Sequence, residues 1–261
     1  MTGTPRTHDG AVIALQDDAT DAPPLLLLPG QASSHTWWDD LRNGLRPAYR
    51  TITFDYRGTG DTQADEAGWS TALLADDAAA VLAACGVERA HVYATSMGGR
   101  VAQELALRHP DLVDRLVLAC TSPGGAGAQE RDADVRRRLA SPDPAARDAA
   151  LLDLMYTPAR ARSGAPSRLL GDPTMTARAR QLHLRASAGH DAWDRLPQIT
   201  APTLVLHGSD DLMAPASNAH AIAGRIPGAR AEITEGGRHG FFDEFSATVT
   251  PRVAAFVGGA S

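Results

Sequence analysis

The stretch His91-Val92-Tyr93-Ala94-Thr95-Ser96-Met97-Gly98-Gly99-Arg100 decides how this chain is read. An apolar run leads straight into a helical pattern, with a serine at the junction and small residues two before and two after it. A strand turning this sharply into a helix forces the serine into a strained backbone conformation, tolerable only where its neighbours carry little side chain. The turn lifts the hydroxyl above the end of a sheet. It also sets the next N–H, that of Met97, at a helix N-terminus, where negative charge is favoured. Read alone, a serine that merely caps a helix would look the same.

A serine hydroxyl is a poor nucleophile at neutral pH and needs a base, itself oriented by an acid. Among nine histidines, His239 lies in the glycine-rich stretch Glu235-Gly236-Gly237-Arg238-His239-Gly240-Phe241-Phe242, after the last strand-like run and before the last helical one. Asp210 and Asp211 follow Leu204-Val205-Leu206-His207-Gly208-Ser209, so both stand just past a strand and offer the acid. Serine, aspartate and histidine then fall in that order on successive loops at one sheet edge, where open α/β sheets keep their sites.

Outward from these loops, short apolar runs at 12–15, 25–28, 51–54, 91–95, 116–119, 203–207 and 231–233 alternate with helical patterns at 37–45, 71–85, 97–108, 215–225 and 245–256. The alternation predicts an α/β fold: a mostly parallel twisted sheet flanked by helices. The rhythm breaks over 122–197, where Pro and Gly cluster and arginine-rich helical patterns replace strands. That segment is expected as a helical insertion between two consecutive strands, with 1–121 and 198–261 forming the core. It carries 12 Arg against 9 acidic residues in a chain whose net charge is -6. A basic insertion can receive an anionic substrate group, although arginine-rich helices also serve simply as solvated faces.

At 261 residues, 43% hydrophobic and 21% charged, the chain suits one α/β domain whose core requires no disulfide or metal. All 25 basic residues are arginine. The lack of lysine excludes a Schiff-base lysine, a pyridoxal-phosphate anchor, a phosphate-loop lysine and a Tyr-x-x-x-Lys dehydrogenase site. Net acidity argues against nucleic-acid binding. Cys85 and Cys120 read as buried thiols, no spacing suggests a zinc site, and no apolar run reaches the ~20 residues of a membrane helix. Arg57-Gly58-Thr59-Gly60 resembles a dinucleotide loop only in part, since Gln63 stands where the third glycine belongs. The first ten residues, MTGTPRTHDG, lack the features of a signal peptide. The expectation is a cytoplasmic protein with no cofactor, metal, membrane or nucleic-acid partner, acting on a small molecule. A homo-oligomer is left open.

Four stretches, in order and spacing, resemble the α/β-hydrolase superfamily. Residues 25–30 followed by Gln31 are similar to its first strand and oxyanion loop, with Trp38 near the usual tryptophan. Asp55-Tyr56-Arg57-Gly58-Thr59-Gly60-Asp61-Thr62 is similar to its Asp-x-Arg-Gly-x-Gly-x-Ser turn. Residues 94–99 resemble its Gly-His-Ser-Met-Gly-Gly elbow. Gly208-Ser209-Asp210-Asp211 with Pro215 resembles its acid loop. The resemblance implies Asp211 rather than Asp210 as the acid, oxyanion donors at the Gln31 and Met97 N–H groups, and a cap formed by the arginine-rich insertion. Pro29, Thr95 and Arg238 stand where the pattern has histidine, histidine and glycine. None of these departures removes a catalytic atom.

The implied activity is that of a cofactor-independent serine hydrolase cleaving a small ester, lactone or thioester, with Ser96 as nucleophile, His239 as base and Asp211 as its orienter. A C–C bond hydrolase and a cofactor-free perhydrolase would share these residues, and a non-catalytic binding protein could keep the fold. His35, Met155, Tyr156, Trp193, Met213 and Phe241 are expected to border the pocket by position. His109, His183 and His207 read as satisfied structural histidines.

Overall fold

Leu25 to Leu28 are all fully buried, yet they pack in two directions. Leu26 and Leu28 join one apolar cluster and Leu25 and Leu27 another, as side chains alternating across a strand must when both faces are covered. The computed structural model describes residues 5–259; the first four residues of the N-terminal stretch lie outside it. The strands are β1 (Leu15–Asp17), β2 (Pro24–Leu28), β3 (Arg50–Phe54), β4 (Ala90–Thr95), β5 (Val113–Ala119), β6 (Thr203–Gly208) and β7 (Arg230–Thr234). They form one sheet in the order β1-β3-β2-β4-β5-β6-β7. Only β1 runs antiparallel to its neighbour.

The helices are α1 (Asp39–Leu45), α2 (Thr71–Ala84), α3 (Met97–Arg108), α4 (Ala133–Leu139), α5 (Pro144–Met155), α6 (Pro158–Arg162), α7 (Ala177–Ala188), α8 (Ser217–Ala223), α9 (Phe241–Glu244) and α10 (Ser246–Val257). Apolar faces of α2, α3 and α8 cover one side of the sheet, and those of α1 and α10 cover the other. Between β5 and β6 the chain forms α4 to α7 and no strand. No helix among the described residues is long and apolar enough to cross a membrane.

The first strand lies later than its apolar pattern suggests. Val12 makes isolated bridges to Arg6 and Gln63, and Ile13 is buried, but the ladder to β3 runs through Leu15, Gln16 and Asp17. At a sheet edge the ladder need not be apolar. Asp17 pairs with Arg50 across it, and Asp18 just beyond pairs with Arg42.

The topology itself creates a crevice. From β2 the chain leaves toward α1 on one face, and from the neighbouring β4 it leaves into α3 on the other. Loops departing to opposite faces from adjacent parallel strands open a gap beyond their carboxyl ends, where ligands of such sheets bind.

Candidate active site

Ser96 occupies that switch point. It has φ +54° and ψ −120°, outside the regions ordinary residues favour, and it caps α3 without a side-chain hydrogen bond. The turn holds because its surroundings over-determine it: Ser96 N–H donates to Ala119 O at 2.9 Å, and Thr121 Oγ1 donates to Ser96 O at 2.7 Å. Gly98 explains the small residue two positions on. A β-carbon there would lie 2.4 Å from Leu28 O and 2.5 Å from Pro29 O, so only glycine lets α3 start this close to β2.

His239 Nε2 lies 2.9 Å from Ser96 Oγ, and its Nδ1 lies 2.8 Å from Asp211 Oδ2. Asp211 Oδ1 accepts from the N–H groups of Met213 and Ala214 at 2.8 and 2.9 Å. Burial pushes the Asp211 carboxyl up, but the charge of His239 and hydrogen bonds from His207 and His239 outweigh it and hold the carboxyl far below the usual range. Asp210 instead is exposed and accepts from Ser209 Oγ at 2.8 Å. The acid and histidine loops also touch directly: a β-carbon on Gly208 would meet Gly237 O at 2.2 Å, and Asp210 N–H donates to Gly237 O at 2.9 Å.

The backbone N–H groups of Gln31 and Met97 donate to no group among the described residues, whereas the next N–H along, that of Ala32, is taken by His183 Nδ1 at 3.1 Å. Two unengaged N–H groups on the loops after β2 and β4 are donors of the kind that can stabilise a developing oxyanion. Among the described residues no three His, Cys, Asp or Glu side chains converge as metal ligands would.

The family model for the α/β hydrolase fold matches residues 23–246. The chain belongs to the α/β hydrolase fold family. This α/β hydrolase is 29% identical over 230 residues to RutD of Caulobacter sp. (strain K31), provisionally named a carbamate hydrolase, covering 85% of this chain and 86% of that one. Its fold matches an esterase, RhEst1 of Rhodococcus sp. ECU1013, with TM-score 0.86 and 27% identity over 100% of both chains. It also matches a hydrolase of Pseudomonas aeruginosa PA01, with TM-score 0.85 and 29% identity over 97% of both chains.

Two of the three departures of this α/β hydrolase from the family's pattern, Thr95 and Arg238, have local explanations. Thr95 Oγ1 accepts from Trp37 Nε1 at 3.0 Å, tying the elbow strand to the loop after β2. Arg238 reaches Asp153 on α5. Arg57 is locked by Asp77 and Asp9, with all four contacts between 2.6 and 3.0 Å, so the Asp55–Thr62 turn is structural.

The expected pocket residues divide. Met213 is half-buried beside the Asp211 carboxylate. His35 stands on Asp55, with its Nδ1 2.7 Å from Oδ1, and that hydrogen bond raises its pKa despite partial burial. Tyr156 and Phe241 have no exposed surface and Met155 almost none, which corrects their expected pocket role. They pack as core behind the histidine loop, where Gly240 N–H donates to Met155 O at 2.7 Å. Trp193 packs under the Arg225 guanidinium at 4.4 Å and against the layer that contains α8. Apolar composition marks burial and does not say which surface is buried.

Two histidines that read as structural touch the site. His207 Nε2 lies 3.3 Å from Asp211 Oδ2 and 2.6 Å from Ala214 O. His183 holds the loop after β2. Its position on a buried helix face was the only signal, and its partner lies 151 residues away in sequence.

Proposed function

We propose that this α/β hydrolase is a serine hydrolase that cleaves a small carboxylic ester, lactone or thioester through an acyl-enzyme on Ser96, with no cofactor called upon. The observation that carries the reading is the continuous line from Ser96 Oγ through the His239 ring to Asp211, with separations of 2.9 and 2.8 Å. Such a line at a strained, partly exposed serine supports nucleophilic chemistry. His239 Nε2 takes the hydroxyl proton as Oγ attacks the carbonyl carbon. Asp211 keeps the other ring proton on Nδ1 and stabilises the imidazolium. The N–H groups of Gln31 and Met97 take the developing oxyanion. The collapsing intermediate expels the alcohol, thiol or ring oxygen, which leaves with the proton from Nε2. Water, deprotonated by the same nitrogen, then attacks the acyl carbon, and the proton passes from Nε2 to Ser96 Oγ as the acid departs.

The names of the Caulobacter and Rhodococcus relatives support acyl carbonyls of this kind, a carbamate carbonyl included. The segment 122–197 acts as the cap in this reading, since residues on it hydrogen-bond both the loop after β2 and the histidine loop. The test is turnover on short acyl esters, lactones, thioesters and carbamates, together with fluorophosphonate labelling read by intact mass. Labelling at Ser96 and its loss, with turnover, in Ser96→Ala is the expected result; ordinary turnover by Ser96→Ala overturns the mechanism.

A further inference from the structure

Beside Gln31, Ala32 holds φ +58°, a left-handed conformation costly to any residue but glycine. Strain of this kind persists only where the surroundings enforce it. Both polar groups of Ala32 are held by the segment between β5 and β6. Its N–H donates to His183 Nδ1 at 3.1 Å, and its carbonyl accepts from Asp172 N–H at 2.6 Å. Each clamp residue is anchored in turn on the turn after β3. His183 Nε2 donates to Arg57 O at 2.9 Å, and Asp172 Oδ2 accepts from Gly60 N–H at 2.6 Å.

His183 has no exposed surface, and its ring meets Trp69 and Tyr56 edge-on at 5.5 and 6.1 Å. Accepting at Nδ1 while donating at Nε2 requires the neutral ring in a single tautomer. Burial keeps it neutral, holding its pKa down at about 4.

We propose that His183 is a positioning residue for the oxyanion hole, clamping Ala32 in its left-handed conformation so that the adjacent Gln31 N–H stays aimed at Ser96. The proposal rests on the serine-hydrolase reading above. Without the clamp Ala32 relaxes toward ordinary negative φ, a rotation of roughly 120° that turns the preceding peptides away. An oxyanion donor acts in the transition state and hardly in the ground state, so its misalignment lowers kcat and leaves KM nearly unchanged.

Two isosteric half-replacements separate positioning from packing. His183→Asn keeps an acceptor where Nδ1 stands and loses the bond to Arg57. His183→Gln can keep that bond and loses the acceptor. With active sites counted by complete fluorophosphonate labelling, His183→Gln is expected to lose about 10- to 100-fold in kcat, with His183→Asn within about threefold of wild type and KM held in both. A packing role would lower the melting midpoint of both variants and leave kcat per labelled site alike; equal kcat values overturn the proposal. If the glutamine variant is insoluble, His183→Asn carries the test alone, and a kcat more than about tenfold below wild type at full labelling overturns it. Wild-type protein that takes no label overturns the serine-hydrolase reading and this proposal with it.

Discussion

Arg238 Nη1 lies 2.7 Å from Asp153 Oδ1 and also donates to the Asp153 carbonyl. The stitching continues along both chains: His239 N–H donates to Leu154 O at 3.3 Å and Gly240 N–H to Met155 O at 2.7 Å. The end of α5 thus holds the histidine loop, as His183 and Asp172 hold the loop after β2. Two of the site's loops take their shape from the segment between β5 and β6.

The two kinds of link are unequal. The Arg238–Asp153 pair is partly exposed, 21% and 45% at the two side chains, and such pairs are worth roughly 0.2–1 kcal/mol. The main-chain bonds beneath it survive any change at 238. Arg238→Gly, which restores the family's glycine, should cost less than about 1 kcal/mol in denaturant unfolding. Its kcat should stay within about threefold of wild type. A kcat loss beyond tenfold would mean that the guanidinium, not the backbone, sets the imidazole.

Asp211 and Asp210 differ by one residue and by everything that matters. In Asp211→Asn the amide oxygen can still accept from Met213 and Ala214, but the NH2 then faces His239 Nδ1. That favours the tautomer with Nε2 protonated, which cannot take the proton of Ser96. A loss of about 10⁴ in kcat is expected, as for the equivalent change in other triads. Asp210→Asn should keep kcat within about threefold, because among the described residues its exposed carboxylate meets only Ser209. Reversed results would transfer the acid to Asp210.

Strain at Ser96 predicts an unusual order of stabilities. Alanine at 96 keeps the β-carbon that opposes φ +54°, whereas glycine removes it. Relief of about 1–3 kcal/mol exceeds the roughly 0.4–1 kcal/mol that glycine costs through the unfolded chain. Ser96→Gly should therefore melt at or above the midpoint of Ser96→Ala. A glycine variant several degrees less stable would show that the elbow stores no strain.

The elbow was legible because two periodicities meet there: the apolar run into Ser96 and the helical pattern after it coincide with β4 and α3. The order of the site residues was legible because loops at strand ends converge once the sheet is parallel. Strand β1 was not, since edge ladders need no apolar residues and the half-buried Val12 and buried Ile13 have no ladder of their own. Nor were the roles of His183 and Tyr156. A buried histidine and a buried tyrosine look alike in sequence whether they touch a site loop or plain core, and only long-range contacts distinguish them.

Buried neutral histidines make stability depend on pH. Burial lowers His183 to about 4 and His190 to about 3, against about 6.5 in the unfolded chain. Between those values the unfolded chain binds protons that the folded one refuses. Their contribution is therefore complete above pH 6.5 and is lost as pH falls toward 4. Asp17, Asp172 and Asp211, all held below the usual carboxylate range, add a loss that begins near pH 4 and deepens below it. Unfolding free energy should fall between pH 6 and 4.5 with a slope of up to about 2.7 kcal/mol per unit, two protons' worth. His183→Asn should remove one proton's worth of that slope, about 1.4 kcal/mol per unit. A flat profile over this range would mean that these rings charge inside the fold.

The last expectation concerns the substrate's charge. Arg100, one turn beyond Ser96, donates among the described residues only to neutral oxygens of Ser187 and Ser122, and burial lowers its pKa to about 10. Arg131 is half-buried and makes no side-chain hydrogen bond or ion pair among the described residues; burial lowers its pKa, and it feels the charges of Glu130, Asp211 and Arg100. Two guanidiniums that form no ion pair among the described residues favour, in the reading proposed above, a compact acyl group that carries its own negative charge. A cap of short helices, as proposed above, suits such a ligand better than a long lipid chain, so short acyl esters should outrun long-chain triglycerides. For an anionic short ester, KM should climb as salt shortens the screening length from about 10 Å at 0.1 M to about 3 Å at 1 M, while kcat holds. Arg131→Gln should raise that KM about 5- to 10-fold, the worth of roughly 1 kcal/mol, and should leave neutral esters unaffected. A KM insensitive to salt and to Arg131→Gln would remove the preference for anions, and efficient hydrolysis of long-chain triglycerides would remove the size limit.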